Sequence, residues 1–317
     1  SHRWAKLGGL FLRMPAMSLP RTLVLSSLVL ALAACQTAPA PRPAAEPEPA
    51  PAPVTAPAGP AANDNLNAVT WIQNAEEYRL IAGQTYRAAL VQLDRALKTP
   101  GWDALVPSER ANPPEGLPPA IIVDVDETVL DNSPYQARLV RDGAYYNEVT
   151  WDGWVREEKA KPVPGAVEFL QAAAARGVTV FYVTNRAAHL NEATYRNLKA
   201  VGFPIESDAQ FLGLGFYVEG CEQQGSEKGC RRQHVGRTHR VLMQFGDQIG
   251  DMVTIEANNP AGRQAALEPY LGWFGERWWV LPNPTYGSWE PALFNNAWDL
   301  PEAERRRLKL EAMDFAE

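Results

Sequence analysis

The sequence predicts an α/β protein whose core is a doubly wound parallel sheet. The first observation is a continuous apolar run, Ala120 to Val123, leading into Asp124-Val-Asp126, as in a strand buried on both faces that ends at a polar edge. Second, the apolar runs Val178–Val183 and Val241–Phe245 also end in polar groups, Thr184-Asn185-Arg186 and Gly246-Asp247. Third, helical periodicity fills the intervals between them, which is the alternation of crossover connections.

The start of the chain stands apart from this pattern. Met17 to Cys35 has a basic start, an apolar centre and small residues before a cysteine, which reads as an export signal. It is too short to span a bilayer comfortably and no basic stop follows. The first residue is Ser1 rather than an initiating Met, so Met17 is taken as the natural start and 1–34 as the signal region. Leu32-Ala-Ala-Cys35 resembles a bacterial lipobox, in which the cysteine is lipidated and becomes the mature N-terminus; Gln36 after it implies the outer membrane. Removing 1–34 leaves 26 basic against 37 acidic residues, a net charge of −11. Such a chain is not built to wrap nucleic acid or to sit on a membrane by charge, so the lipid supplies the membrane contact. From Gln36 to Pro60 nine of 25 residues are proline, and residues 35–64 read as an extended tether.

The globular part, residues 65–317, begins with helical spacing between Leu66 and Lys98, as one long or two shorter helices, stopped by Thr99-Pro100-Gly101. A Pro-rich loop, 112–119, delivers the chain to the Asp124 strand. A polar and aromatic stretch with Tyr145, Tyr146, Trp151 and Trp154 follows, up to Pro162-Val-Pro-Gly165. Helices are expected at Ala166–Arg176, stopped by Gly177, and at Asn191–Val201, stopped by Gly202. Further strands are expected at Phe211–Val218 and Trp278–Leu281. Cys221 and Cys230, nine positions apart, suit a disulfide in an oxidising compartment; their spacing is wrong for a zinc knuckle with His234 or His239.

Each strand end offers a different chemical part. Asp124 and Asp126 repel one another and demand a compensating cation or proton. A calcium loop also starts D-x-D, but its required Gly and Glu are replaced here by Val129 and Tyr135. Helix capping by the two aspartates is the plainest alternative. As chemistry, Asp124 suits a nucleophile toward phosphorus and Asp126 a general acid/base. Thr184 and Asn185 can bind a phosphoryl oxygen, and Lys228 can neutralise its charge. Asp247 and Asp251, four apart, add two carboxylates, and four aspartates in one pocket suit Mg²⁺.

Asp124-Val-Asp126-Glu-Thr-Val-Leu-Asp-Asn132 with Tyr135, and Gly246-Asp247 with Asp251, resemble the two signatures of the class C "DDDD" acid phosphatases, the lipoprotein 5′-nucleotidases of the haloacid dehalogenase (HAD) superfamily. Gln248, Ile249 and Met252 depart from the second signature. The similarity extends over roughly 68–300, through Trp71-Ile-Gln73, Val183-Thr-Asn-Arg186 and the segment Pro282 to Glu290. It implies a HAD-like Rossmannoid sheet with a small, mainly helical cap, about 65–112 and 133–162, and an exported phosphomonoesterase acting on small nucleotide-like esters. It further implies Asp124 as nucleophile and Asp126 as acid/base. Mg²⁺ would be held by Asp124, the Asp126 carbonyl and Asp247, with Asp251 in support. Trp151 and Tyr286 stand where such enzymes sandwich a base. Two other functions stay open: an idle lipoprotein using the fold for adhesion, which would have no need of a full carboxylate set, and a phosphotransferase, which an ATP-poor compartment disfavours.

Overall fold

The computed structural model describes residues 62–316; the signal region, Cys35 and the tether up to residue 61 lie outside them. Along the described chain the strands are β1 (Pro119–Val123), β2 (Leu130–Asp131), β3 (Lys161–Pro162), β4 (Thr179–Ala187), β5 (Phe211–Leu214), β6 (Arg240–Gly246) and β7 (Trp278–Val280). The helices are α1 (Leu66–Asn74), α2 (Glu76–Lys98), α3 (Ser133–Asp142), α4 (Glu148–Arg156), α5 (Ala166–Ala174), α6 (Asn191–Ala200), α7 (Gly229–Thr238), α8 (Pro260–Leu267) and α9 (Glu302–Glu311).

Five strands form one parallel sheet in the order β5-β4-β1-β6-β7, while β2 and β3 make a separate antiparallel pair. The chain leaves β1 toward β4 and β5, then crosses back to β6 and β7. The reversal lies beside β1, so Asp124 after β1 and Asp247 after β6 flank the crevice where open α/β sheets bind ligands. Both faces of β1 are covered. Ile121 and Val123 face a core built with α2, α5 and α6, whereas Ala120 and Ile122 face a second core with α7 and the segment Ala104–Val106. That two-sided burial is why the strand reads as a continuous apolar run.

Several details differ from the sequence expectations. The helical run from Leu66 to Lys98 is two helices, broken at Ala75, whose backbone is extended. The aromatic stretch after Tyr135 contains α3, packed on α1, and α4, packed on α6. β5 stops at Leu214 because Gly215 turns left-handed at φ +88°, so the strand does not reach Val218. β4 does not end at Val183 but runs to Ala187, with its pairing to β5 interrupted between Val183 and Ala187. This irregularity holds Thr184 and Arg186 in the interior and leaves Asn185 exposed, as a bulge re-aims side chains.

The turn after Asp126 is anchored from below. Tyr86 of α2 is buried between Phe169 and Phe245, and its hydroxyl donates to the Thr128 carbonyl at 2.6 Å. Tyr86→Phe leaves that buried carbonyl unpaired and is expected to cost about 1–3 kcal/mol in urea unfolding; an unchanged midpoint would show that the hydroxyl holds nothing.

Candidate active site

The carboxyl ends of β1 and β6 bring Asp124, Asp247 and Asp251 together. One carboxylate oxygen from each lies within 4.8 Å of the others, a spacing that one metal ion could bridge. Asp251 reaches this point through the turn Ile249–Asp251, where its Oδ2 accepts the Gln248 backbone N–H at 2.9 Å. The turn closes over Gly246: a Cβ there would lie 2.1 Å from Asp251 Oδ2, so only glycine fits. Asp247 Oδ2 accepts from Gln248 Nε2 at 2.8 Å and from Asn283 Nδ2 at 2.7 Å. Gln248, a departure from the expected signature, thus ties Asp247 to the following loop, where its Oε1 accepts from Ser288 N at 3.0 Å.

Among the described residues a single ammonium pairs with this cluster. Lys228, buried at the start of α7, donates to Asp124 Oδ1 and, at 2.7 Å, to Asp251 Oδ1. Burial disfavours its charge, but Asp124 and Asp251 hold the ammonium above its ordinary pKa. Asp124 is pushed up to about 7, first by burial and then by Asp251 and Asp126, against the pull of Lys228. Asp247 is raised well above the carboxylate range by burial of its carboxyl, with Asp251 and Asp124 adding to it. One ammonium does not satisfy three carboxylates, and a divalent cation or protons must supply the rest.

Asp126 sits outside that cluster and in a different environment. Its Oδ1 accepts from Arg186 Nη2 at 2.7 Å and Nε at 3.0 Å, and from Asn132 Nδ2 at 2.8 Å. Arg186 is itself buried, and its guanidinium lies 5.4 Å from the Trp151 ring centroid. Trp151 packs edge-on against Tyr135 at 5.2 Å and beside Tyr146 at 6.3 Å, forming an aromatic wall next to Asp126. Tyr286 donates its hydroxyl to Glu127 Oε2. Trp151 therefore touches the arginine that holds Asp126, and Tyr286 touches Glu127, the next residue.

The phosphoryl-side candidates meet through α7. Thr184 is fully buried, and its Oγ1 accepts the Arg186 N–H at 3.1 Å. Arg231, also fully buried, donates to the Thr184 carbonyl at 2.5 Å and to Asn185 Oδ1 at 2.7 Å. Its neighbour Arg232 donates to Glu109 at 2.6 and 2.8 Å and to the carbonyls of Gly250 and Asp251 at 2.8 and 3.1 Å. One helical turn thus carries Lys228 into the site and braces both loops around it. Cys221 and Cys230 are joined by a disulfide.

Sequence reasoning did not single out Glu127, Asn132, Arg186, Arg231, Arg232 or Asn283. Glu127 is buried at φ +56°, accepts the Asn132 backbone N–H at 2.7 Å, and is raised well above the carboxylate range by burial and then by Asp126. A carboxylate inside the first signature was the available signal. Among the described residues the histidines stay outside the cluster: His189 pairs with Asp152 at 2.5 Å, while His234 and His239 lie edge-on to Phe216 and Phe181.

Comparison with known proteins agrees with this geometry. Residues 59–289 match the family described as HAD superfamily, subfamily IIIB (acid phosphatase). The class C acid phosphatase from Bacillus anthracis is similar at 31% identity and a TM-score of 0.67, covering 79% of this chain and 96% of that one. The same figures hold for its structure with tungstate bound. Acid phosphatase 1 from Solanum lycopersicum is 27% identical over 132 residues, 42% of this chain and 51% of that protein, so the chain spans about half the length of this curated relative. Fold and site together define a phosphomonoester hydrolase. The chain belongs to the HAD subfamily IIIB acid phosphatases.

Two outcomes follow from the carboxylate cluster. In the metal-free protein Asp124 holds a proton that the unfolded chain has lost between about pH 4 and about pH 7. Folded-state stability attributable to Asp124 therefore falls as pH rises through that window. Comparing wild type with Asp124→Asn by thermal unfolding should show the variant less pH-sensitive there; identical pH profiles would place Asp124 in an ordinary environment. Gly246→Ala should displace Asp251 and weaken divalent-cation binding roughly tenfold or more in calorimetry; unchanged affinity would remove Asp251 from the cation site.

Proposed function

We propose that this protein is an exported, Mg²⁺-dependent acid phosphatase of 5′-nucleotidase type, acting through an aspartyl-phosphate. The observation that carries the reading is the separation of environments between two aspartates one residue apart. Asp124 lies in the carboxylate cluster against Lys228, and Asp126 lies beside it, held by Arg186 and Asn132.

Asp124, Asp247 and Asp251 fit a divalent cation as hard oxygen donors within reach of one ion, with Asp247 and Asp124 both raised by burial and, after it, by the Asp251 carboxylate. When bound, Mg²⁺ would neutralise phosphoryl charge and keep Asp124 ionised. A carboxylate oxygen of Asp124 then forms a bond to phosphorus as the ester P–O bond breaks. Asp126, as the acid, donates its proton to the departing oxygen. In the second half Asp126 takes a proton from the attacking water, and the Asp124–phosphorus bond breaks to release inorganic phosphate. Lys228, the Thr184 hydroxyl and Asn185 are suited to hold the non-reacting phosphoryl oxygens. The tungstate-bound relative supports a tetrahedral oxyanion as the ligand class.

The aromatic wall of Trp151 with Tyr135 and Tyr146, together with Tyr286 at Glu127, supports a planar leaving group such as a nucleoside. The signal and lipobox residues ending at Cys35 support export and lipid anchoring to the outer membrane, and the Cys221–Cys230 bridge suits an oxidising compartment.

The test is a panel of nucleoside monophosphates and small phosphate esters assayed with and without Mg²⁺. Asp124→Asn should lower kcat by about a thousandfold or more for every ester. Trp151→Ala should reduce kcat/KM for nucleotides roughly tenfold more than for small esters. Full activity in Asp124→Asn, or equal losses on all substrates in Trp151→Ala, would contradict the nucleophile or the stacking role respectively.

A further inference from the structure

We propose that the Cys221–Cys230 disulfide is the positioning device of Lys228, so that oxyanion binding in the site depends on an intact bridge. The proposal rests on the phosphatase reading, in which Lys228 faces the phosphoryl group.

Lys228 arrives at the site from the segment 215–228, which lies between β5 and α7 and contains neither helix nor strand. Three glycines in it, Gly215, Gly220 and Gly225, adopt left-handed backbone. Its internal backbone bonds are short turns, such as Cys221 N–H to the Val218 carbonyl at 3.2 Å and Glu227 N–H to the Gln224 carbonyl at 3.0 Å. Turns of this kind hold a loop only locally. Apart from the ion pairs of Lys228 itself, the side-chain hydrogen bonds that tie the segment to other elements come from α7: Arg237 donates to the Glu219 carbonyl at 2.7 Å, and Arg231 donates to the Ser226 and Glu227 carbonyls at 3.2 Å each.

The disulfide is the covalent member of that set. It joins positions nine apart, and Lys228 lies inside the ring it closes, two residues before Cys230. Closing so short a ring removes most alternative paths for the chain carrying the lysine. That restriction matters because the ammonium is buried, and desolvation works against its place in the site. Asp124 and Asp251 attract it, but protons or a cation satisfy the same carboxylates. With the bridge open, non-covalent ties alone hold the segment, so Lys228 exchanges its place in the site for water more readily.

The bridge is open to solvent from the Cys221 side. Cys221 is half-buried and Cys230 buried where both line an open cavity of about 650 Å³, together with Glu227, Gly229 and Gln233. A dithiol entering there passes two electrons and two protons to the bridge, giving two cysteine thiols and its own cyclic disulfide.

The experiment measures tungstate binding by calorimetry in oxidised wild type, in wild type treated with dithiothreitol, and in Cys221→Ser/Cys230→Ser. The same comparison is repeated with Lys228→Met. Opening the bridge should weaken tungstate binding roughly tenfold or more, the effect of losing one charged hydrogen-bond donor, while unfolding remains cooperative. In the Lys228→Met background, opening the bridge should change affinity by less than about twofold, because the two changes act through one contact. If the serine variant does not fold, the dithiothreitol-treated wild type decides. Unchanged affinity with the bridge open overturns the proposal, as does an equal loss in the Lys228→Met background. Failure of oxidised wild type to hydrolyse any phosphomonoester would instead count against the phosphatase reading itself.

Discussion

Three carboxylates meeting at two strand ends, with one buried ammonium between them, is the constraint on which the site depends. Asp124, Asp247 and Asp251 are close enough to share an ion, and Lys228 pairs with only two of them. Burial and mutual repulsion raise Asp124 and Asp247, so the metal-free site is under electrostatic strain that a divalent cation relieves. Asp126 escapes the cluster by turning toward Arg186 and Asn132. Two carboxylates one residue apart thereby acquire different surroundings, which is what distinct nucleophile and acid/base roles require.

Much of the surrounding structure exists to hold that crowded arrangement. Gly246 lets the Asp251 turn close against the end of β6, and Gln248 and Asn283 hold Asp247 from the far side. The first turn of α7 carries Lys228 in at its N-cap and sends Arg231 to Thr184 and Asn185 of β4 and Arg232 to the Gly250–Asp251 turn. Two fully buried arginines in succession would be untenable without these partners; Glu109, Asn185, Thr254 and six backbone carbonyls supply them.

The legible parts of the sequence were those written in local pattern. The apolar runs before Asp124, Thr184 and Asp247 announced buried parallel strands, and strand ends point to one edge of the sheet, so the convergence of these residues could be read directly. Lys228 was legible as a cation able to neutralise a phosphoryl group, but no strand or helix pattern in the sequence brought it to the carboxylates. Arg231 and Arg232 look like a surface basic pair, because nothing local reveals that Glu109, 123 positions before Arg232, waits in the interior. Glu127 and Asn132 were hidden for a similar reason: their roles depend on side-chain direction in a turn and on Tyr286, 159 positions from Glu127. The extent of β4 was misjudged because its irregular pairing with β5 keeps polar residues inside a strand.

Rapid quenching of the enzyme with a radiolabelled phosphomonoester, followed by peptide mapping, tests most directly whether the strained carboxylate at the end of β1 is the reacting one. Acid-stable capture should place one phosphoryl group on the peptide containing Asp124, at the Asp124 side chain, with the label lost on neutral chase. A label on any other residue, or turnover with no phosphorylated enzyme under single-turnover conditions, would contradict it.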